Sequence, residues 1–335
     1  MGNNSLILFI AGIIVTFIVT VIAGKIIIPI LKSKKMGQKI LDIGPRWHKS
    51  KEGTPVMGGL LFIAGGIVTT ILGCVLIAVK TGIYAAAPVA IVVCYALLNA
   101  LIGIIDDSAK LRKKQNEGLT AKQKMLLQLV AAALFLAAMR LTDTINTTLY
   151  IPYFGVEFDL GIFYYIFAML LLTGVVNSVN LTDGIDGLAS SVTLVVGAFF
   201  AVVTFFSNIA NEQSLSLLSA VIIGGTLGFL VYNFYPARVF MGDTGSLFLG
   251  GLVVGGAFIM KNPLLVVVFG IIYMFEVLSV MIQVTYFKLT HGKRIFKMSP
   301  IHHHFEMCGW NEIKIVSVFS VVTVVGCALA WLGLQ

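Results

Sequence analysis

The stretch AAAPVAIVVCYALLNALIGIIDD, residues 85–107, decides the fold. From Ala85 to Ile105 it carries no charge, and roughly 20 apolar residues in a helix span a ~30 Å hydrocarbon core. Two carboxylates, Asp106 and Asp107, then end the run. The rest of the chain agrees: of 335 residues 58% are hydrophobic and 11% charged, against about 25% charged in an ordinary soluble domain. Spans are expected at roughly 5–31, 56–79, 85–105, 125–140, 161–180, 189–208, 216–235, 247–260, 264–288 and 312–334, with the fourth and eighth short. The expected fold is therefore an all-α polytopic membrane protein of about ten transmembrane helices. No repeat or low-complexity segment divides it, so residues 1–335 read as a single membrane domain.

The apolar run from Leu6 to Leu31 lacks a basic leader and exceeds a signal-peptide core of about 7 to 15 residues, so it reads as the first span. Cys74, Cys94 and Cys327 lie in apolar runs and Cys308 in a loop, a pattern of free thiols rather than a disulfide framework. A net charge of +8 can signal nucleic acid, but in a membrane chain the placement of lysine and arginine sets orientation instead. The first connection carries Lys32, Lys34, Lys35, Lys39, Arg46, Lys49 and Lys51. The third carries Lys110, Arg112, Lys113, Lys114, Lys122 and Lys124, and the ninth Lys293, Arg294 and Lys297. Connections of the other parity hold only Lys80, Arg140 and Lys261. Odd connections are thus expected in the cytoplasm and both termini outside. Between spans four and five, Thr147 to Leu160 alternates around Pro152 and Gly155, as a short external β-hairpin does.

Four polar clusters interrupt this apolar background. Asp106 and Asp107 sit at a helix C-terminus, where carboxylates oppose the macrodipole by ~0.3–1 kcal/mol each; either they form a solvated end neutralised by Lys110 and Arg112, or they hold a metal or move a proton. In Asn177 to Gly187, a helical Asp183–Asp186 spacing would put both carboxylates on one face, with Asn177 and Asn180 upstream. The alternative is a plain Asp-Gly turn. In Phe240 to Ser246, Asp243 either caps a helix or helps bind phosphate or a bridging metal at its N-terminus. His302, His303 and His304 form an internal triplet lacking the ligand spacing of a tight zinc site, so they suit phosphate oxygens better, unless they are only a surface cluster. By charge parity all four clusters share one side of the membrane. Carboxylates beside a phosphate suit magnesium, while lysines and histidines suit the phosphate itself. The joint reading is a cytoplasmic phosphoryl-transfer site for a membrane-embedded acceptor.

Read in order, Lys51-Glu-Gly-Thr-Pro, Met57-Gly-Gly, Asp106-Asp107, Asn116 to Leu119, Asn180 to Gly187, Phe240 to Ser246 and His302 to Glu306 resemble the phospho-N-acetylmuramoyl-pentapeptide transferase family of the polyprenyl-phosphate N-acetylhexosamine-1-phosphate transferase superfamily. The resemblance covers nearly the whole chain. It implies transfer of phospho-N-acetylmuramoyl-pentapeptide from UDP to undecaprenyl phosphate, giving lipid I and UMP, with Mg2+. It also implies a homodimer in the bacterial inner membrane and a cytoplasmic cleft beside a bent ninth helix. Residue by residue, Asp243 resembles the family's magnesium ligand, and one of Asp106 and Asp107 its base. Asp183, Asn180, Asn177 and His303 match positions around the diphosphate and sugar, with His303 joining the aspartates as catalytic and His302 and His304 as substrate-binding. Asp186, Lys51 and Phe240 match a uridine pocket, Phe240 by stacking. Lys110, Lys122, Asn233 and Gln283 match positions that contact substrate. One departure is Val56, where the family usually has threonine.

Two routes are open from sequence: direct attack by the lipid phosphate, or prior attack by an aspartate to give a phospho-sugar enzyme. Two rival functions are a sibling transferase using another UDP-N-acetylhexosamine and a proton- or cation-coupled transporter. For transport, only Lys25, Glu276 and Gln283 lie well within spans.

Overall fold

The computed structural model describes residues 3–34, 51–113 and 118–334. Lys35, Lys39, Arg46, Lys49, Lys114 and Asn116, and the side chains of Arg112 and Lys113, lie outside what it describes. The helices are α1 (Asn3–Ser33), α2 (Gly59–Thr81), α3 (Ile83–Lys113), α4 (Ala121–Leu141), α5 (Ile162–Thr182), α6 (Leu188–Phe206), α7 (Glu212–Asn233), α8 (Gly242–Ile259), α9 (Val266–Phe269), α10 (Ile271–Leu289), α11 (Ile301–Glu306) and α12 (Glu312–Leu332). Ten of them, all but α9 and α11, are long and apolar enough to cross a membrane, which makes the protein multi-pass. On α1, Ile14, Ile18, Ile22, Ile26 and Ile30 repeat every fourth residue and are all exposed. That stripe suits lipid, not water.

The two short spans begin earlier than hydropathy suggests, because each opens with a polar turn. α4 starts at a capping box in which Thr120 accepts from the Gln123 N–H and Gln123 accepts in return from Thr120, an arrangement that satisfies helix-end donors. α8 starts within Gly242-Asp243-Thr244-Gly245-Ser246. The ninth span is interrupted: Pro263–Leu265 forms a 3-10 turn, α9 follows, and Gly270 separates it from α10.

α8 forms the centre of the bundle, with every residue from Thr244 to Ile259 buried. Its glycines allow this. A Cβ on Gly250 would lie 2.7 Å from Val176 Cα on α5, and one on Gly251 would lie 2.7 Å from Ala96 Cα on α3. In lipid, helices associate through such close backbone packing. The hairpin of β1 (Thr148–Ile151) and β2 (Val156–Asp159) is antiparallel, with Thr148 opposite Asp159 and the turn at Pro152–Gly155. Its Tyr153 hydroxyl donates to Leu329 O near the end of α12.

The connections after odd-numbered spans meet at the opposite end. Phe240 N–H donates to Pro55 O, Gly58 N–H to Phe240 O, and Leu119 N–H to the Asp106 carboxylate. Lys51 reaches Asp186 and Glu312.

Candidate active site

Asp106 and Asp107, in the last turns of α3, face the start of α8. Gly103 permits the approach, since a Cβ there would sit 2.3 Å from Asp243 O. Gly242 takes φ +69, a left-handed backbone that suits glycine, and a Cβ on it would meet Asp107 Oδ2 at 2.6 Å and Val56 Cγ1 at 2.8 Å. Val56 thus fills the position expected of a threonine with buried apolar packing.

Asp243 is not the cap of its own helix. The N-cap position is Met241, with no side-chain cap, and the carboxylate that serves α8 comes from α3. Asp107 Oδ2 accepts from Thr244 N–H at 2.9 Å and Thr244 Oγ1 at 2.7 Å, while its Oδ1 accepts from Asp243 N–H at 3.2 Å. The Asp243 side chain is left for other partners. Lys110 and Lys124 reach its Oδ2 at 3.0 and 2.9 Å, and Asn180 donates to its Oδ1 at 2.9 Å. Asp106 accepts from Lys110 at 2.7 Å and from Leu119 N–H at 2.6 Å. Isolated carboxylates at this burial would be costly; the two ammonium groups offset that cost.

Ligand oxygens of Asp106, Asp107 and Asp243 lie within 4.8 Å of one another, the one such cluster among the described residues. In an octahedral magnesium site opposite ligands stand about 4.2 Å apart and adjacent ones about 3 Å, so the three carboxylates would draw closer together to share one ion. Its donors are all oxygen, which favours a hard divalent cation. The contacts of Asp107 all tie it to the start of α8, whereas Asp243 and Asp106 meet lysine ammonium groups that a cation could replace, which makes them the better-placed ligands.

The segment from Asp183 to Gly187 is a turn, not a helix. α5 ends at Thr182 with Asp183 as its C-cap, and Gly187 takes φ +76 before α6. The two carboxylates therefore do not share a helical face. Asp186 turns to Lys51 at 2.7 Å and to Ala237 N–H at 2.8 Å. Asp183 belongs electrostatically to the aspartate cluster: burial, reinforced by Asp243, Asp107 and Asp186, pushes its carboxyl well above the ordinary 3.8.

Other expected site residues are brought near with their polar groups already engaged. Asn177 exchanges hydrogen bonds with Gln128 on α4. Asn233 accepts from Gly187 N–H and donates to Val239 O. Gln283 accepts from Ile295 and Phe296 N–H and donates to Phe296 O, pinning the loop before the histidines. Phe240 is half-buried and packs against the core. The histidines separate into different environments. His302 is fully buried, with Nδ1 3.0 Å from Glu276, and packs so closely on Gly184 that a Cβ there would fall 2.1 Å from Nε2. His303 pairs with Glu306 at 2.6 Å, and His304 accepts from Lys297 N–H.

Lys122 is exposed on the first turn of α4, whereas Lys124, overlooked in the sequence, makes the ion pair to Asp243. A signal existed: Lys124 and Gln128 are four residues apart, on one face of α4, and Gln128 bonds α5. Glu312, which pairs with Lys51, and Glu276, which pairs with His302, also join the site without a local signal in the sequence. Glu312 follows a helix cap and reads as an ordinary first-turn acid.

Residues 89–261 match the model for glycosyl transferase family 4. The chain is 47% identical over 327 residues to a phospho-N-acetylmuramoyl-pentapeptide-transferase of Clostridium acetobutylicum, covering 96% of this chain and 98% of the relative. Relatives of the same name from Clostridium novyi, covering 98% of this chain and 97% of the relative, and Clostridium perfringens, covering 96% and 98%, are each 46% identical. With this similarity running end to end, the chain belongs to glycosyl transferase family 4 and, within it, to the phospho-N-acetylmuramoyl-pentapeptide-transferases.

Proposed function

We propose that this protein transfers phospho-N-acetylmuramoyl-pentapeptide from its UDP carrier to undecaprenyl phosphate, producing lipid I and UMP. The observation that carries the reading is the gathering of Asp106, Asp107 and Asp243 within 4.8 Å beside Lys110 and Lys124, in a chain almost half identical to transferases of that name. Asp243 and Asp106 would hold Mg2+. When bound, the ion supplies positive charge to the diphosphate and to the departing UMP. The charge asymmetry of the loops supports a cytoplasmic site and external termini in a bacterial inner membrane. The family resemblance supports a homodimer.

Lys110 and Lys124 bind phosphate oxygens, and Asn180, tied to Asp243 and Ser246, orients that group of side chains. An acceptor oxygen attacks the sugar-linked phosphorus, the bond from that phosphorus to the UMP oxygen breaks, and UMP departs. A phosphate monoester whose second ionisation lies near pH 6 is mostly dianionic at neutral pH, so the acceptor needs orientation more than deprotonation. Asp106, beside Lys110, takes a residual proton. The contacts of Asp243 favour this direct route, because a nucleophilic carboxylate would have to leave two ammonium groups. Lys51, Asp186 and Phe240 receive the uridine, and the histidine segment lies toward the sugar phosphate.

A transport pathway has little support: Glu276 is paired with His302, and Lys25 lies on an exposed side of α1. The test is UMP release by purified protein in detergent, expected only when Mg2+, UDP-N-acetylmuramoyl-pentapeptide and a polyprenyl phosphate are all present. No release under those conditions overturns the reading. Competition by UDP-N-acetylglucosamine at equal efficiency would favour a sibling transferase. Stoichiometric UMP release without lipid, leaving labelled sugar phosphate on the protein, would sink the direct route.

A further inference from the structure

We infer that Glu312 is a positioning residue for the nucleotide end of the site, holding Lys51 and Asp186 in the arrangement that receives the uridine. The inference rests on the assignment of Lys51 and Asp186 to that pocket. It starts from a closed set of contacts joining four separate parts of the chain. Lys51 Nζ lies 2.7 Å from Asp186 Oδ1 and 2.6 Å from a Glu312 carboxylate oxygen. The same glutamate accepts the Asp186 backbone N–H at 2.9 Å. Asp186 Oδ2 meanwhile accepts from Ala237 N–H at 2.8 Å. Glu312 thus touches both Lys51 and Asp186, two of the three expected pocket residues.

An ammonium has three N–H donors and no acceptor. Two of those on Lys51 are fixed by carboxylates, and the third has no hydrogen-bond partner among the described residues. The Tyr235 ring stands 5.9 Å from Nζ. Held between two carboxylates, Lys51 presents one directed donor, suited to a carbonyl or hydroxyl oxygen of a nucleoside. Lysine alone is a flexible point charge; the direction comes from its anchors. Glu312 is itself firmly placed. It occupies the first turn of α12, where a carboxylate is favoured, next to Asn311, which accepts from Lys314 N–H at 2.8 Å.

The test is Glu312→Gln in the full-length protein. The amide oxygen still accepts the Asp186 N–H, but the ion pair to Lys51 is gone. The Kd of UMP, measured by calorimetry, and the KM for the UDP substrate are expected to rise about tenfold, as for loss of one charge-assisted contact. The kcat and the KM for undecaprenyl phosphate should stay within about twofold, the signature of lost ground-state binding. A general fall in kcat, both KM values and thermal stability would overturn the inference in favour of a structural role. In a Lys51→Met background, Glu312→Gln should weaken UMP no further; an additional, additive loss would also overturn it. Should Glu312→Gln not fold, Glu312→Asp, which keeps a shorter carboxylate, is expected to raise the Kd by roughly threefold, and unchanged binding would refute the inference. If wild-type protein neither binds UMP nor turns over, the functional reading fails first and takes this inference with it. If wild type binds UMP and Glu312→Gln binds it equally well, only the role of Glu312 falls.

Discussion

Replacing Asp107 by asparagine preserves the shape of the side chain and removes its charge, so the variant measures what that charge does for α8. In the native protein the carboxylate accepts from Asp243 N–H, Thr244 N–H and Thr244 Oγ1. An asparagine can turn its single oxygen toward Thr244, but its NH2 group then faces the Asp243 N–H, donor against donor. Hydrogen bonds to charged groups contribute about 1.5–3 kcal/mol, and losing a helix N-cap costs about 0.5–2 kcal/mol. A net loss of about 2 kcal/mol follows. The loss falls on the turn that carries the Asp243 carboxylate, between Lys110, Lys124 and Asn180. If all of it appears in the transition state, turnover drops about 30-fold; misplacement of the carboxylate by an ångström would deepen this toward 100-fold. The KM for the UDP substrate should change little, because the contacts among Lys51, Asp186 and Glu312 do not involve Asp107. The assay is steady-state UMP release at saturating substrates, paired with the thermal unfolding midpoint of the same detergent preparation. A variant that keeps turnover within threefold refutes the argument. So does one that loses turnover while retaining the native midpoint, since Asp107 would then act in the chemistry and not by holding α8.

Asp243→Ala should abolish nearly all turnover in the same assay while the protein remains folded, because it removes the carboxylate shared by both lysines. Lys124→Met should reduce turnover at least tenfold more than Lys122→Met, as expected if a charge-assisted contact worth ~1.5–3 kcal/mol is lost in one variant only; equal effects would count against the role of Lys124. Chelation should eliminate UMP release and added Mg2+ should restore it, with the metal dependence of Asp243 variants read from the same titration. Asp183 gives a pH prediction. Its carboxyl is raised above 3.8 by burial and neighbouring carboxylates, so the native state binds more protons than the unfolded one as pH climbs from 3.8. Stability contributed by neutral Asp183 is therefore lost with rising pH. In chelator, Asp183→Asn should unfold at a higher temperature than wild type, by a margin that grows with pH; a margin independent of pH would contradict this.

How far the sequence reveals the site depends on the distance over which each determinant acts. The ten spans are legible because hydropathy is a local sum, and the missed starts of α4 and α8 are polar turns that such a sum discards. The hairpin is legible because alternation and turn residues are local too. Asp106, Asp107 and Asp243 stand out as charges ending or opening apolar runs, but their division of labour does not. From sequence Asp243 reads either as the cap of α8 or as a phosphate or metal ligand; the observed cap crosses from α3, and the packing permitted at Gly103 and Gly242 makes that exchange possible. Lys122 and Lys124 are equally plausible as isolated lysines. The phase of α4, set by the Thr120 box and by Gln128 bonding Asn177, turns Lys124 inward. The Asp183–Asp186 pair shows the same limit, since helical spacing has meaning only if the helix continues, and the turn after Thr182 breaks it and leaves Asp186 facing Lys51. Glu312 lies furthest from its partners in sequence, 261 residues from Lys51. Nothing local distinguishes it from any first-turn glutamate, so its importance follows only from where the chain end of the bundle returns. The residues most exposed to misassignment are thus those whose partners arrive from another helix, and these same residues set the geometry of both ends of the site.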